Sequence, residues 1–242
     1  MSSTKPRRAF RTLLVILLVL AGLGVAADRV GESLAEDRLA TAAADEAAQY
    51  DVRAANTSVE IGGFGFLPQV ARSKFDKVTL SMREPTVEKI AAEDLTVEMH
   101  NIHVPREMLT GNTSGTVTVD QADLKLRLSP AALTRLTART SGLDALKLQI
   151  TNGKLVAQAT VRGLKASAAV QPVARDGRIG LVVDKDALDN IPAPLRESVR
   201  SVLARGIVVP RLPFKASLRQ IAVEGQSIVL TATAANLELA GA

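Results

Sequence analysis

The chain has no cysteine and no tryptophan, a single tyrosine and five phenylalanines among 242 residues. Without cysteine there are no disulfides, no thiolate metal sites and no thiol nucleophile, so stability must come from burial alone. Histidine is nearly as scarce. His100 and His103 are three apart in a strand-like stretch. That odd spacing points them to opposite faces of an ideal strand, so a shared metal would require a bulge. No serine occupies a G-x-S-x-G elbow, and Gly62-Gly63-Phe64-Gly65 lacks the Lys-Ser/Thr that completes a phosphate loop. Carboxylates are scattered, with Glu93-Asp94 and Asp184-x-Asp186 the closest pairs. The chain therefore reads as non-enzymatic, with no cofactor or metal site, and the shortage of stacking aromatics argues against nucleic acid as a partner.

The net charge of +5 is a property of one end. Lys5, Arg7, Arg8 and Arg11 are four of the 30 basic residues, and all 25 acidic residues follow Ala27, so the rest of the chain carries 26 basic and 25 acidic side chains. Behind the basic cluster, the sixteen residues Thr12–Ala27 carry no charge. A secretory signal core is roughly 7–15 apolar residues and a spanning helix roughly 17–25, so this run fits either a cleaved leader or a retained anchor. Both place the body outside the cytoplasmic membrane, by its outer face. The expected organisation is residues 1–27 as leader or anchor and 28–242 as one exported domain, in which an Ala/Glu/Arg-rich helix over 28–49 leads into the rest.

Beyond Tyr50 the hydrophobic period becomes two. Val78, Leu80 and Met82 alternate with polar neighbours, as do Leu95, Val97 and Met99, and further strands are predicted at 116–119, 146–151, 155–162, 165–170, 178–184, 215–223 and 228–234. The stretch 120–128 reads as strand through Leu124, Leu126 and Leu128, although Asp120-x-x-Asp123 would also open a helix. Asn152-Gly153 and Asp176-Gly177 are type I′ hairpin turns, so the sheet is largely antiparallel. Ser129-Pro130 starts one helix and Pro194 another, which ends at Gly206. Leu155-Val156, Ala159-Thr160 and Leu164 recur as Ile228-Val229, Ala232-Thr233 and Leu237, either as two halves of one curved sheet or as the ordinary likeness of alternating strands. The fold class is α+β.

Phe64, Phe66 and Phe75 fall within twelve residues. Glycines and Pro68 argue against regular structure through 65–68, so the segment is either an apolar lip dipping among lipid chains or a plug folded into the core. A second apolar loop, Gly206 to Phe214, carries the same two readings. Candidate lipid contacts are Phe64, Phe66, Leu67, Val70 and Phe75 with Val208, Val209, Leu212 and Phe214, and Arg72 and Lys74 are placed for a headgroup.

The order of these blocks resembles the actinobacterial LmeA family of envelope lipid-binding proteins. The likeness lies in ADRVGESLAEDRLA from Ala27, GFGFLPQVARSKFDKVTLSM from Gly62, GTVTVDQADL from Gly115, NGKLVAQATV from Asn152 and VVPRLPFKASLRQIAVEGQSIVLTATA from Val208. It departs in the stretch after Leu124, where a shorter helix and loop would be expected. The resemblance implies a phospholipid-binding domain of the cell envelope that supports assembly of mannose-containing glycolipids, alongside envelope glycosyltransferases. It also implies a curved antiparallel sheet wrapped along helices, similar to tubular lipid-binding (TULIP-like) folds. A scaffold domain acting on envelope-biosynthesis proteins without a lipid ligand is the alternative.

Overall fold

The computed structural model describes residues 6–49, 51–87, 90–109, 115–141, 146–161, 164–175, 178–183, 196, 207–208 and 216–240. The elements are α1 (Pro6–Gln49), β1 (Val52–Arg53), β2 (Asn56–Gly62), α2 (Phe66–Arg72), β3 (Lys74–Arg83), β4 (Thr86–Val87), β5 (Ile90–Ala91), β6 (Asp94–His103), α3 (Arg106–Leu109), β7 (Thr116–Leu128), α4 (Pro130–Ser141), β8 (Leu146–Thr151), β9 (Lys154–Val161), β10 (Leu164–Arg175), β11 (Arg178–Val183), β12 (Ile207–Val208), β13 (Ser217–Glu224) and β14 (Ser227–Ala240). The fold is α+β. Its curved antiparallel sheet is divided in three: two large open sheets, ordered β13-β14-β7-β6-β3-β2 and β12-β11-β10-β9-β8, and a small third, β1-β4-β5. Each described pairing is antiparallel.

Local chemistry explains most of these elements. Asn152 and Gly153 have φ of 52° and 72°, the paired positive values of a type I′ turn, and they join β8 to β9 with Thr151 opposite Lys154. Asp176-Gly177 lies outside the described residues, but Arg175 faces Arg178 across it. The stretch 120–128 is strand, inside a continuous β7. Ser129 Oγ accepts the N–H of Ala132 at 3.1 Å and Pro130 is the first residue of α4, as the sequence required. Of the helix predicted from Pro194 to Gly206 only Arg196, which is helical, is among the described residues. The first repeat-like segment falls in β9, with Leu164 opening β10, and the second lies wholly in β14; β9 and β14 are each the second strand of a glycine hairpin, but in different sheets.

A row of extra residues crosses the six-stranded sheet. Phe75, Ile102, Val119 and Leu237 form one register row, and Val78, Met99, Ala122 and Ala234 form the next apolar one. Between them Lys77, His100, Gln121 and Ala235 pair in register, while Asp76, Asn101, Asp120 and Asn236 stand without ladder partners. Asn101 and Asn236 both have φ of 52°. One extra residue in each of four strands switches which parity faces inward without shifting the register, and aligned bulges of this kind bend a sheet. His100 and His103, with the bulge between them, thus share the outer polar face, contrary to the ideal-strand expectation. Among the described residues no group of three or more His, Asp or Glu side chains is arranged to hold a metal.

Two apolar clusters result. One joins α4, through Leu133 and Leu136, to Leu128, Ile228 and Leu230 of the six-stranded sheet and to Leu148, Leu155, Val170 and Ile179 of the five-stranded one. The other lies on the inner face nearer α1 and α2, and includes Ile61, Phe75, Val97, Ile102, Val119 and Leu124, with Ala35 and Phe66 packed against it. Helices also cover sheet edges, where free N–H groups invite foreign strands. Glu36 of α1 accepts the N–H of Ile61 on β2 at 2.7 Å, and Thr134 Oγ1 of α4 accepts that of Leu148 on β8 at 2.9 Å.

Candidate functional site

The segment expected to be irregular from Gly65 to Pro68 is the entry into α2. Proline is tolerated there because the first turn of a helix has no internal acceptor for its N–H. Gly65, the residue before the helix, gives no side-chain cap. The cap comes from α1: Asp28 accepts the N–H of Phe66 at 3.0 Å and that of Leu67 at 2.6 Å. These two bonds, Leu67 first, hold the Asp28 carboxyl below its ordinary range, with a smaller contribution from Arg29 and partial desolvation opposing.

Gln69, 1% exposed, ties α2 to the sheet. Its amide N–H₂ donates to the carbonyls of Gly62 and Gly65 at 3.3 and 3.0 Å, and its Oε1 accepts the N–H of Asp76 at 2.8 Å. Asp76 is the unpaired bulge residue of β3, so Gln69 satisfies the amide that the bulge frees. Gly63 has φ of 114°, which strains any side chain, and a Cβ there would also crowd Asp76 Oδ2 at 2.9 Å and the Gln69 amide at 3.1 Å. Ser73 closes α2 in the left-handed region, with φ of 56°, and its buried hydroxyl has no hydrogen-bond partner among the described residues.

The candidate side chains divide around this knot. Phe66 and Phe75 turn inward, their ring centroids 6.3 Å apart at 41°, and Val70 packs against the same cluster. The Phe66 ring also lies on α1 at Gly31, where a Cβ would come within 3.3 Å of it. Phe64 and Leu67 turn outward, 88% and 45% exposed. One segment therefore supplies both a plug and a lip. Arg72 and Lys74 are exposed at the far end of α2, where Arg72 Nε donates to the Pro68 carbonyl at 3.1 Å. Val208 belongs to β12, opposite Arg178 in the other large sheet, so it does not join the first group by any described pairing. Val209, Leu212 and Phe214 lie outside the described residues.

From this knot an aliphatic strip runs along the inner face toward α4. Val78, Leu80, Leu95 and Met99 line it and are only half-buried. The opposite face of the same strands holds a basin of about 480 Å³ lined by Ser58, Ser81, Thr96, Arg83, Lys125, Arg127 and Asp94, with Met82 and Leu95 below. Its cations are partly paired: Lys125 and Arg127 reach Glu224 at 3.5 and 3.6 Å, and Arg127 reaches Asp94 at 3.9 Å. The sequence reading missed this basin, because its rows, such as Ser58–Ser81–Thr96–Lys125, come from four strands and exist only in register.

Among the described residues no helix is long and apolar enough to cross a membrane. Comparison with known proteins gives two matches of different weight. The family model for LmeA-like phospholipid-binding proteins matches residues 26–233. A long-chain-alcohol oxidase of Arabidopsis thaliana is 36% identical over 80 residues, which is 33% of this chain and 10% of that protein. A match to a tenth of an enzyme carries no activity over to this chain. No solved structure matches.

Proposed function

Because the chain belongs to the LmeA-like phospholipid-binding family, we propose that it takes up the acyl chains of a phospholipid along the half-buried strip of Val78, Leu80, Leu95 and Met99. The carrying observation is that Val78, Leu80, Leu95 and Met99 on this inner face are only half-buried. Each methylene that enters such a face contributes about 0.8 kcal/mol, so an acyl chain has enough carbons to bind by burial alone. The headgroup then lies toward Arg72 and Lys74. We further read the protein as working outside the cytoplasmic membrane, in lipid handling for mannose-containing envelope glycolipids and beside the glycosyltransferases that build them.

Purification of the full chain followed by lipid extraction and mass spectrometry tests the binding. Stoichiometric phospholipid is expected, and a lipid-free protein that ignores liposomes would favour a scaffold. A C-terminal reporter that works only after export tests the location, and an inactive cytosolic fusion would overturn it.

A further inference from the structure

Most of the exposed large apolar side chains lie along α1 and around the entry to α2, with Val30, Leu34 and Leu39 beyond Asp28 in the charged part of α1. Among the described residues Val19, Leu23, Val25, Val30, Leu34, Leu39, Phe64, Leu67 and Val182 are exposed, and all but Val182 belong to α1, to the first turn of α2 (Leu67) or to the loop just before it (Phe64). Every residue of α1 whose exposure is described between Val19 and Ala27 is exposed and uncharged. That stretch is apolar on all sides, unlike a helix that packs on one neighbour. Charge begins abruptly at Asp28 and Arg29.

The residue at that polarity boundary is the one that holds α2. Asp28 takes the first two N–H groups of α2, which fixes Phe64 and Leu67 at the level along α1 where the apolar stretch ends. Val25 is three residues before Asp28, about 4.5 Å along the axis, and Leu23 about 7.5 Å. Two features far apart in sequence, an uncharged helical run and a phenylalanine lip, are thereby joined into one apolar end.

We propose that this end is a lipid-surface docking edge, with Phe64 and Leu67 entering the acyl region beside Leu23 and Val25, and with Asp28 as the positioning residue. The proposal rests on the reading of the protein as a phospholipid-binding module and adds where it meets the membrane. It requires a lipid surface, not a spanning helix. A lipid surface fits better than a second copy of the chain because the exposed residues between Val19 and Ala27 surround the helix instead of forming a single stripe, and because they belong to an uncharged run of sixteen residues. On this geometry the lip opens toward the bilayer, and the aliphatic strip behind Phe66 lies next to the source of its ligand.

The absence of tryptophan supplies the test. The full-length F64W chain is mixed with vesicles of phosphatidylethanolamine and phosphatidylglycerol whose acyl chains carry bromine, a contact quencher, and V182W serves as a control on the five-stranded sheet. The expected result is a blue-shifted, quenched signal for F64W and none for V182W. Adding Asp28→Ala to F64W should lower the quenching by roughly fivefold, the population factor of one lost helix cap, with the circular dichroism spectrum unchanged. An unquenched F64W chain that still co-purifies with phospholipid would overturn the docking edge and leave lipid binding standing. Loss of both would remove the two readings together. Equal quenching of F64W and V182W would also overturn the edge, and full quenching in the Asp28→Ala background would remove Asp28 from its role. If Asp28→Ala fails to fold, the F64W and V182W pair still decides whether the edge exists.

Discussion

Asp28 Oδ1 accepts the backbone N–H of Leu67 at 2.6 Å across 39 positions of sequence, and through that bond α1 fixes where α2 begins. A carboxylate beside the first N–H groups of a helix meets both unsatisfied donors and the positive end of the helix dipole. The bond therefore depends on Asp28 being ionised.

That dependence gives a pH prediction with a definite sign. The carboxyl lies below its ordinary value in the folded chain, chiefly through the Leu67 and Phe66 amides. Its contribution to stability is then fully present above the unfolded value, near 3.9, and is lost as pH falls through the folded value. The melting difference between the natural chain and Asp28→Asn should be constant from neutral pH down to about 5 and shrink below about 4. A difference that widens toward low pH would contradict the assignment.

The β8–β9 turn makes a second prediction. Gly153 has φ of 72° and open space around its Cβ position, so any cost of substitution is backbone strain and not collision. Gly153→Val should destabilise by more than about 1 kcal/mol in chemical denaturation, whereas Gly153→Asn should cost less because asparagine tolerates the left-handed region. Equal midpoints for the two variants would show that the turn does not set the register.

The bulge row makes a third. Asn101 and Asn236 both hold φ of 52° beside Asp120 of β7. A β-branched side chain strains that conformation, so Asn101→Val and Asn236→Val should each cost about 1–3 kcal/mol, while the glycine variants stay within about 0.5 kcal/mol of the natural chain. Valine tolerated at both sites would mean that the bend does not depend on them.

The same row shows what the sequence displayed and what it concealed. Each strand carries the bend as two residues between apolar ones: Phe75-Asp-Lys-Val78, Met99-His-Asn-Ile102, Val119-Asp-Gln-Ala122 and Ala234-Ala-Asn-Leu237. Period-two reading found the strand on one side of each break, and on both sides only in β7, and it took each break as a boundary, because only pairing in register shows that the four breaks align. The hairpins and α4 were legible because their turn and cap residues are local. The start of α2 was not, since Gly65 and Pro68 look like loop residues and the cap that makes them helical comes from Asp28 on another element. Inner and outer roles within the phenylalanine block were hidden for a similar reason: they depend on Gly31, where α1 receives the Phe66 ring.

Phe64 and Phe66, two residues apart, should therefore separate stability from lipid binding. Phe64 is 88% exposed, so Phe64→Ser should leave the unfolding midpoint within about 0.5 kcal/mol of the natural value, as expected for a surface position. Phe66 packs against the tilted ring of Phe75 and lies against α1, so Phe66→Ser should cost about 1–3 kcal/mol, less than a fully buried phenylalanine because it is only half-covered. In a liposome assay Phe64→Ser should weaken phospholipid binding with the circular dichroism spectrum intact. If Phe64→Ser instead unfolds the chain, the lip is part of the core. If it folds and binds liposomes as the natural chain does, lipid reaches the aliphatic strip by another side, and the outward turn of Phe64 has no part in its capture.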